Sequence, residues 1–107
     1  MNYLMRLSEF VTESKESIET YLGMLGISIS RVKTDSEKII AYHREYRISD
    51  NKVRTYLLEI NSNLEKILSD SALWERFIDD PEVELVYNDL VLVHNTNYDY
   101  LLEIQEN

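Results

Sequence analysis

The stretch IDDPEVELVYNDLVLVHNTNYDYLLEIQEN, residues 78–107, decides the fold because its apolar residues follow one another in alternating steps of three and four. In an α-helix that spacing places them on one side, where they face other helices. We therefore expect one amphipathic helix over residues 79–105. Its inward-facing seam consists of Val83, Val86, Leu90, Val93, Asn97, Tyr100 and Ile104.

Two neighbouring aspartates are candidates for the N-terminal cap of this helix. Asp79 has Glu82 three residues further on, which is the spacing of a cap and its reciprocal partner. Asp80 would instead place Pro81 at the first helical position, where the missing N–H costs nothing. The helix dipole favours acidic residues in a first turn, so both alternatives stay open.

Two other interpretations of this stretch also stay open. The runs ELVY and LVLV have the composition of strands, so a β-hairpin that turns at Asn88-Asp89 is one alternative. The other is a break at residues 94–97, where HNTN could end one helix and Thr96 could begin the next.

The upstream sequence predicts further helices from the same spacing. Gly26 is expected to end a first helix, whose seam is Leu4, Leu7, Val11, Ser14, Ile18, Tyr21 and Leu25. Residues 27–32 are rich in β-branched side chains and are expected to form a connector. A capping box at Thr34 and Glu37 predicts the start of a second helix, with Ile39, Ile40, His43 and Tyr46 on one side.

A third helix is expected after the turn-forming residues 48–51, with the seam Val53, Leu57, Ile60, Leu64 and Ile67. Residues 69–71 interrupt this pattern, and a short turn then brings in Leu73, Trp74, Phe77 and Ile78. Two glycines and one proline in 107 residues argue against a sandwich or a barrel, which needs many turns. We predict an all-α protein: one helical domain over residues 1–107, an antiparallel helical bundle of four to five helices with heptad-like seams.

The charge is distributed unevenly along the chain, although the formal net charge is −9. Residues 77–107 contain eight acidic residues and no lysine or arginine, whereas the basic middle, residues 31–54, contains seven lysines and arginines. No cysteine, signal-peptide pattern or apolar run of about 18 residues is present. We therefore expect a cytoplasmic protein with no membrane partner.

The sequence offers no pattern typical of catalysis or of metal binding. Neither His43 nor His94 has a second histidine three or four residues away, and Gly23 and Gly26 form no phosphate-binding loop. His43 falls on a seam, so we expect it to be a partly buried packing residue. We predict a non-enzymatic protein without catalytic residues, metal ligands or cofactors.

The acidic C-terminal helix favours binding to another protein with a basic surface, because clustered charge steers association. The predicted contacts are Asp79, Asp80, Glu82, Glu84, Asp89 and Tyr87. Such a small acidic module would suit an inhibitor, antitoxin, immunity protein or adaptor. The alternative is a structural subunit that forms a homo-oligomer through unsatisfied seams.

A second alternative is a nucleic-acid or phosphate contact in the basic middle. Arginines and aromatic residues interleave there, a mixture that can bind phosphate and stack on bases; the residues are Tyr42, Arg44, Tyr46 and Arg47. A net charge of −9 repels a phosphate backbone at long range, so we do not expect nucleic acid to bind.

Overall fold

The computed structural model describes residues 17–106, and within that range the chain forms five α-helices and no strand. In chain order they are α1 Ile18–Met24, α2 Ile29–Arg44, α3 Asp50–Leu68, α4 Ser71–Arg76 and α5 Val83–Glu106. The predicted all-α class is confirmed. No helix of this part of the chain is both long and apolar enough to cross a membrane.

Pairs of hydrogen-bonded side chains give the directions of the three long helices. On α3 and α5, Asn61 contacts Asn97 and Glu65 contacts His94, so these helices run antiparallel. On α2 and α5, Ser36 contacts Asn97 and the later His43 contacts Tyr100, so these two run parallel. Helix α3 is therefore antiparallel to both neighbours, which agrees with the predicted antiparallel bundle.

The core consists of two apolar clusters separated by one polar layer. In the polar layer, α2 contributes Ser36, α3 contributes Asn61 and α5 contributes Asn97, and all three are buried. The first cluster contains Ile18, Leu22, Leu64, Leu73, Phe77, Val86, Leu90 and Val93. The second contains Ile40, Val53, Leu57, Tyr100 and Ile104.

Helix α5 follows the predicted seam. Val83 is half-buried, and the other six seam residues are buried in the two clusters and the polar layer. The hairpin at Asn88-Asp89 and the break at residues 94–97 are both wrong, because α5 is continuous from Val83 to Glu106. A continuous helix buries the whole seam against the other helices, which outweighs the strand-like composition of its two valine-rich runs.

The predicted start of α5 is wrong by several residues. Asp80 Oδ1 accepts a hydrogen bond from the Glu82 N–H at 2.9 Å, which closes a turn before the helix begins at Val83. Aspartate commonly bonds the backbone two residues on, and that competes with capping a helix at its own position. Pro81 consequently lies in the turn rather than at the first helical position.

Gly26 terminates α1 as predicted, just past the last helical residue Met24 and the C-cap Leu25. Gly26 has φ +81°, in the left-handed region that glycine enters freely. The Ile27 N–H donates to the Leu22 carbonyl at 2.8 Å and the Gly26 N–H donates to the Gly23 carbonyl at 3.0 Å. These are the two bonds of a Schellman motif. Leu25, expected on the seam, is exposed, and the predicted seam residues before residue 17 lie outside the described part of the chain.

The predicted connector over residues 27–32 is wrong, because α2 already begins at Ile29. Ser28 is its N-cap and accepts a hydrogen bond from the Arg31 N–H at 3.4 Å. The capping box at Thr34 and Glu37 is also wrong, since both residues lie inside the helix. Packing of Ile29 and Val32, in its first turn, against the first apolar cluster outweighs the weak helix propensity of the β-branched residues.

The third helix carries its predicted seam, since Val53, Leu57 and Leu64 are buried while Ile60 and Ile67 are half-buried. Its N-cap is Ser49, which accepts a hydrogen bond from the Lys52 N–H at 3.2 Å. The short turn expected after residues 69–71 is the six-residue helix α4.

Asp80 also connects the start of α1 to the turn before α5. Its Oδ2 accepts a hydrogen bond from the Ile18 N–H at 2.8 Å, although the two residues are 62 positions apart. Ile18 is the first residue of α1, so the carboxylate satisfies an N–H that the helix itself leaves free. The negative charge also lies at the positive end of the α1 dipole.

We predict that Asp80→Ala lowers the free energy of unfolding by about 2 kcal/mol, because it removes two hydrogen bonds to a carboxylate. The matched control is the exposed neighbour Asp79, whose change to alanine should cost less than about 0.5 kcal/mol. Denaturant unfolding followed by circular dichroism measures both. Equal losses of unfolding free energy in Asp80→Ala and Asp79→Ala would contradict the contact between Asp80 and Ile18.

Candidate functional site

The acidic residues predicted as partner contacts do not form one cluster. Asp79, Glu82 and Glu84 are exposed around the turn before α5 and at its first turn. Asp80 is half-buried and its carboxylate is used within the fold. Asp89 lies five residues after Glu84 and therefore on a different side of α5, facing the groove between α2 and α5.

Tyr87, the aromatic member of that predicted set, lies on α5 beside Trp74. The two rings meet edge to face with their centroids 4.9 Å apart. Trp74 is fixed in turn by a hydrogen bond from its Nε1–H to the Ile67 carbonyl at 3.0 Å. Tyr87 is 39% exposed, so part of its ring stays open to solvent.

The residues of the predicted nucleic-acid contact divide into two groups. Around the end of α2, the Arg47 guanidinium lies 4.3 Å from the centre of the Tyr42 ring. The Arg44 guanidinium instead lies 5.1 Å from the ring centre of Tyr100 on α5. The two arginines therefore point to different neighbours and do not form one phosphate-binding surface.

Tyr46 is the most unusual residue of that set. It was expected beside Ile40 on one side of α2, but that expectation is wrong, because it lies beyond the helix end with φ +61°. Hydrogen bonds from the Arg47 N–H to the Tyr42 carbonyl and from the Tyr46 N–H to the His43 carbonyl close the turn. A left-handed backbone costs a tyrosine about 1–2 kcal/mol, and this side chain is 96% exposed.

A groove runs between the parallel helices α2 and α5. Cavities of about 190 and 660 Å³ lie along it, and a third of about 580 Å³ adjoins them between α1, the start of α2 and Asp89 of α5. The middle cavity shares lining residues with each neighbour, so the three are continuous and are described together as one groove. The shared residues are Ile29, Lys33 and Asp89 on one side and Glu37, Ile40 and Thr96 on the other.

This α2–α5 groove combines an apolar floor with an acidic rim. Its floor is formed by Ile29, Ile40, Ala41, Leu92 and Val93. Six acidic and two basic side chains line it, namely Glu19, Glu37, Glu45, Asp89, Asp99 and Glu103 against Lys33 and Arg44. Such a surface suits a ligand with an apolar face and positive charges.

The polar layer of the core lies directly beneath the middle cavity, which both Ser36 and Asn97 line. Asn97 Nδ2 donates to Ser36 Oγ at 3.0 Å and to Asn61 Oδ1 at 3.1 Å. Asn61 Nδ2 in turn donates to the His94 carbonyl at 3.1 Å. Asn97 Oδ1 is buried and has no hydrogen-bond partner. A buried polar atom without a partner costs about 1–3 kcal/mol.

Sequence reasoning placed Asn97 on the seam of α5 but missed its partners. Ser36 lies between Thr34 and Glu37, the two residues of the predicted capping box, and Asn61 lies next to the seam residue Ile60. The available signal was one small polar residue among the inward-facing positions of each long helix.

Both histidines bridge helices or their ends, and His43 is the partly buried packing residue that its position predicted. His43 Nε2 lies 2.6 Å from Asp50 Oδ1, and its Nδ1 lies 2.7 Å from the Tyr100 hydroxyl oxygen. Because a carboxylate only accepts, Nε2 donates to Asp50, and in that tautomer of the imidazole Nδ1 accepts from the Tyr100 hydroxyl. His94 Nε2 similarly lies 2.9 Å from Glu65 Oε1.

Burial raises the pKa of Tyr100 above its ordinary value of 10.0, while the nearby positive charge of Arg44 opposes that rise. The neutral phenol is thus the favoured form, which suits a donor to His43. Within residues 17–106, no group of three or more histidine, aspartate or glutamate side chains is arranged to hold a metal ion.

The chain matches no protein-family model, no curated protein and no solved structure.

We predict that the free energy of unfolding falls as the pH rises above about 10. Unfolded Tyr100 releases its proton at a lower pH than folded Tyr100, so deprotonation favours the unfolded state. Tyr100→Phe should remove this part of the pH dependence, as measured by urea unfolding at a series of pH values. Tyr98→Phe, at an exposed position of the same helix, is the control. If the free energy of unfolding of Tyr100→Phe fell at high pH as much as that of the unmutated protein, the prediction would be contradicted.

Proposed function

We propose that this protein is a non-enzymatic binding module whose α2–α5 groove docks a basic segment of another protein. The observation that carries the proposal is the lining of the groove. It contains six acidic and only two basic side chains, which surround an apolar floor. An inhibitor, antitoxin, immunity protein or adaptor would use such a surface to cover a basic region of its target.

Two physical effects, apolar burial and electrostatic attraction, would contribute to binding. Burial of the floor against an apolar surface supplies affinity in proportion to the area removed from water. The acidic rim accelerates association and selects against acidic partners, and this contribution weakens as salt rises. The net charge of −9 extends the attraction beyond the groove.

Asp89 is the predicted contact that lies in the groove itself. Asp79, Glu82, Glu84 and Tyr87 lie elsewhere on the surface, and in this proposal they contribute to long-range attraction rather than to the docked contact. Asp80 is left out of the contact surface because its carboxylate holds α1. We also propose that the protein acts in the cytoplasm, with which a chain without disulfides is compatible.

Self-association is the second candidate, and a separate stripe on α5 favours it. The stripe lies on a different side of α5 from Leu92, which lines the groove. Its residues follow one another in steps of four, seven and four, and they are Tyr87, Val91, Tyr98 and Leu102. Three of them are exposed and Val91 is half-buried. A homo-oligomer formed through this apolar stripe would resist salt, whereas docking in the acidic groove would not.

We do not extend the proposal to nucleic acid. Arg44 packs on Tyr100, and Arg47 packs on Tyr42 with Glu45 Oε2 3.8 Å from its guanidinium. The overall charge repels phosphate.

Charge reversal inside and outside the groove tests the proposal. Glu37→Lys with Asp99→Lys reverses two exposed groove acids, and Glu59→Lys with Glu75→Lys is the control with the same change in net charge. Partners captured by the unmutated protein are identified by mass spectrometry, and association rates of the purified partner are then measured against each variant. We expect the groove variant to slow association at least several-fold more than the control at low salt.

The difference in association rate between the groove variant and the control variant should shrink as the salt concentration increases. Equal slowing in both would show that only net charge matters and would remove the groove from the proposal. A partner whose binding neither variant changes would contradict steering altogether.

A further inference from the structure

We infer that the segment bound in the α2–α5 groove is a basic amphipathic α-helix, and that one lysine of this helix enters the middle cavity above Asn97. The inference rests on the proposed function and specifies the partner. It follows from the shape of the groove, from the charge along its rim and from the unpaired acceptor beneath it.

The walls of the groove favour a helix over an extended peptide. Both walls are helices, whose backbone groups are already paired, so an extended peptide would find no strand edge and would bury unpaired N–H and C=O groups. A helix satisfies its own backbone. Packed against α2 and α5 on the side opposite α3, it would complete a four-helix bundle.

The length of the groove fits a short helix. The wall formed by α5 extends from Asp89 to Glu103, which is about 21 Å at 1.5 Å per residue. An occupant of about four turns would cover that distance. Its apolar face would lie on Ile40, Leu92 and Val93.

The rim fixes the charge of the occupant. Acidic side chains stand on both walls, with Glu37 and Glu45 on or next to α2 and with Asp99 and Glu103 on α5. Positive side chains flanking an apolar face would meet both rows. A second copy of this chain would bring a net charge of −9 to an acidic groove, so charge argues against it as the occupant.

The middle cavity supplies the position for a lysine. It has a volume of about 190 Å³, and its charged lining residues are Glu37, Asp89 and Lys33, which leave one negative charge uncompensated. Asn97, 0% exposed, also lines it, and Asn97 Oδ1 is the buried acceptor without a donor. An ammonium group has three donors, so one lysine would compensate the charge and give Oδ1 a partner.

Three synthetic peptides test the inference against the full-length protein. The first is an amphipathic helix of about 18 leucine and lysine residues with one lysine at the centre of its apolar face. The second has methionine at that central position, which keeps a long side chain but removes the ammonium. The third is the first peptide with two leucines near its centre replaced by proline, which prevents a helix. Dissociation constants are measured by isothermal titration calorimetry.

We expect the lysine peptide to bind about tenfold tighter than the methionine peptide, because a charge-assisted hydrogen bond is gained. Asn97→Leu and, separately, Glu37→Gln with Asp89→Asn should each reduce this preference. The exposed pair Glu59→Gln with Glu75→Gln should leave it unchanged. If Asn97→Leu does not fold, as judged by circular dichroism, the Glu37 and Asp89 variant decides.

Each outcome has a distinct consequence. Equal binding of the lysine and methionine peptides would overturn the lysine contact while leaving the groove as a binding site. Tighter binding of the proline peptide would overturn the helical occupant. Binding by none of the three, or binding that Glu37→Lys with Asp99→Lys does not weaken, would overturn the inference and the proposed function together. Self-association that the lysine peptide displaces would assign the groove to a second copy.

Discussion

The side-chain amide of Asn97 is the contact on which the arrangement of the three long helices depends. It donates to Ser36 on α2 and to Asn61 on α3, so one residue of α5 fixes the position of both neighbouring helices along the bundle axis. Apolar seams with heptad spacing can slide by seven residues and still match. A slide of seven residues toward the start of α2 would place Asn97 Nδ2 beside Ile29 and Leu68 and leave its two buried donors unpaired. The polar layer therefore selects one register where the apolar clusters above and below it do not.

That register also builds the α2–α5 groove. With Ser36 beside Asn97, the acidic residues of α2 stand opposite those of α5, and the apolar residues of both helices meet between them. The ends of the bundle are held separately. Asp80 fastens α1 to the turn before α5, and His43 connects Tyr100 of α5 to Asp50 at the start of α3. The groove is consequently a property of the whole bundle rather than of one segment.

The sequence predicted the elements whose signal is local or periodic. The seams of α3 and α5 and the end of α1 at Gly26 followed from side-chain spacing and from the freedom of glycine at positive φ. The start of α2 at Ile29 did not, because burial of that turn outweighs its β-branched composition. The groove could not be predicted, since Glu37 and Asp99 become neighbours through helix pairing and not through spacing. Asn97 was placed on a seam, but its role required two partners on other helices.

Nuclear magnetic resonance of the Asn97 side-chain amide tests the polar layer most directly. In the unmutated protein, labelled with nitrogen-15 and carbon-13, we expect both amide protons to exchange slowly with water, because both are buried donors. They should show nuclear Overhauser effects to the β-protons of Ser36 and Asn61. Fast exchange, or Overhauser effects to residues about one heptad away on either helix, would contradict the register and with it the groove.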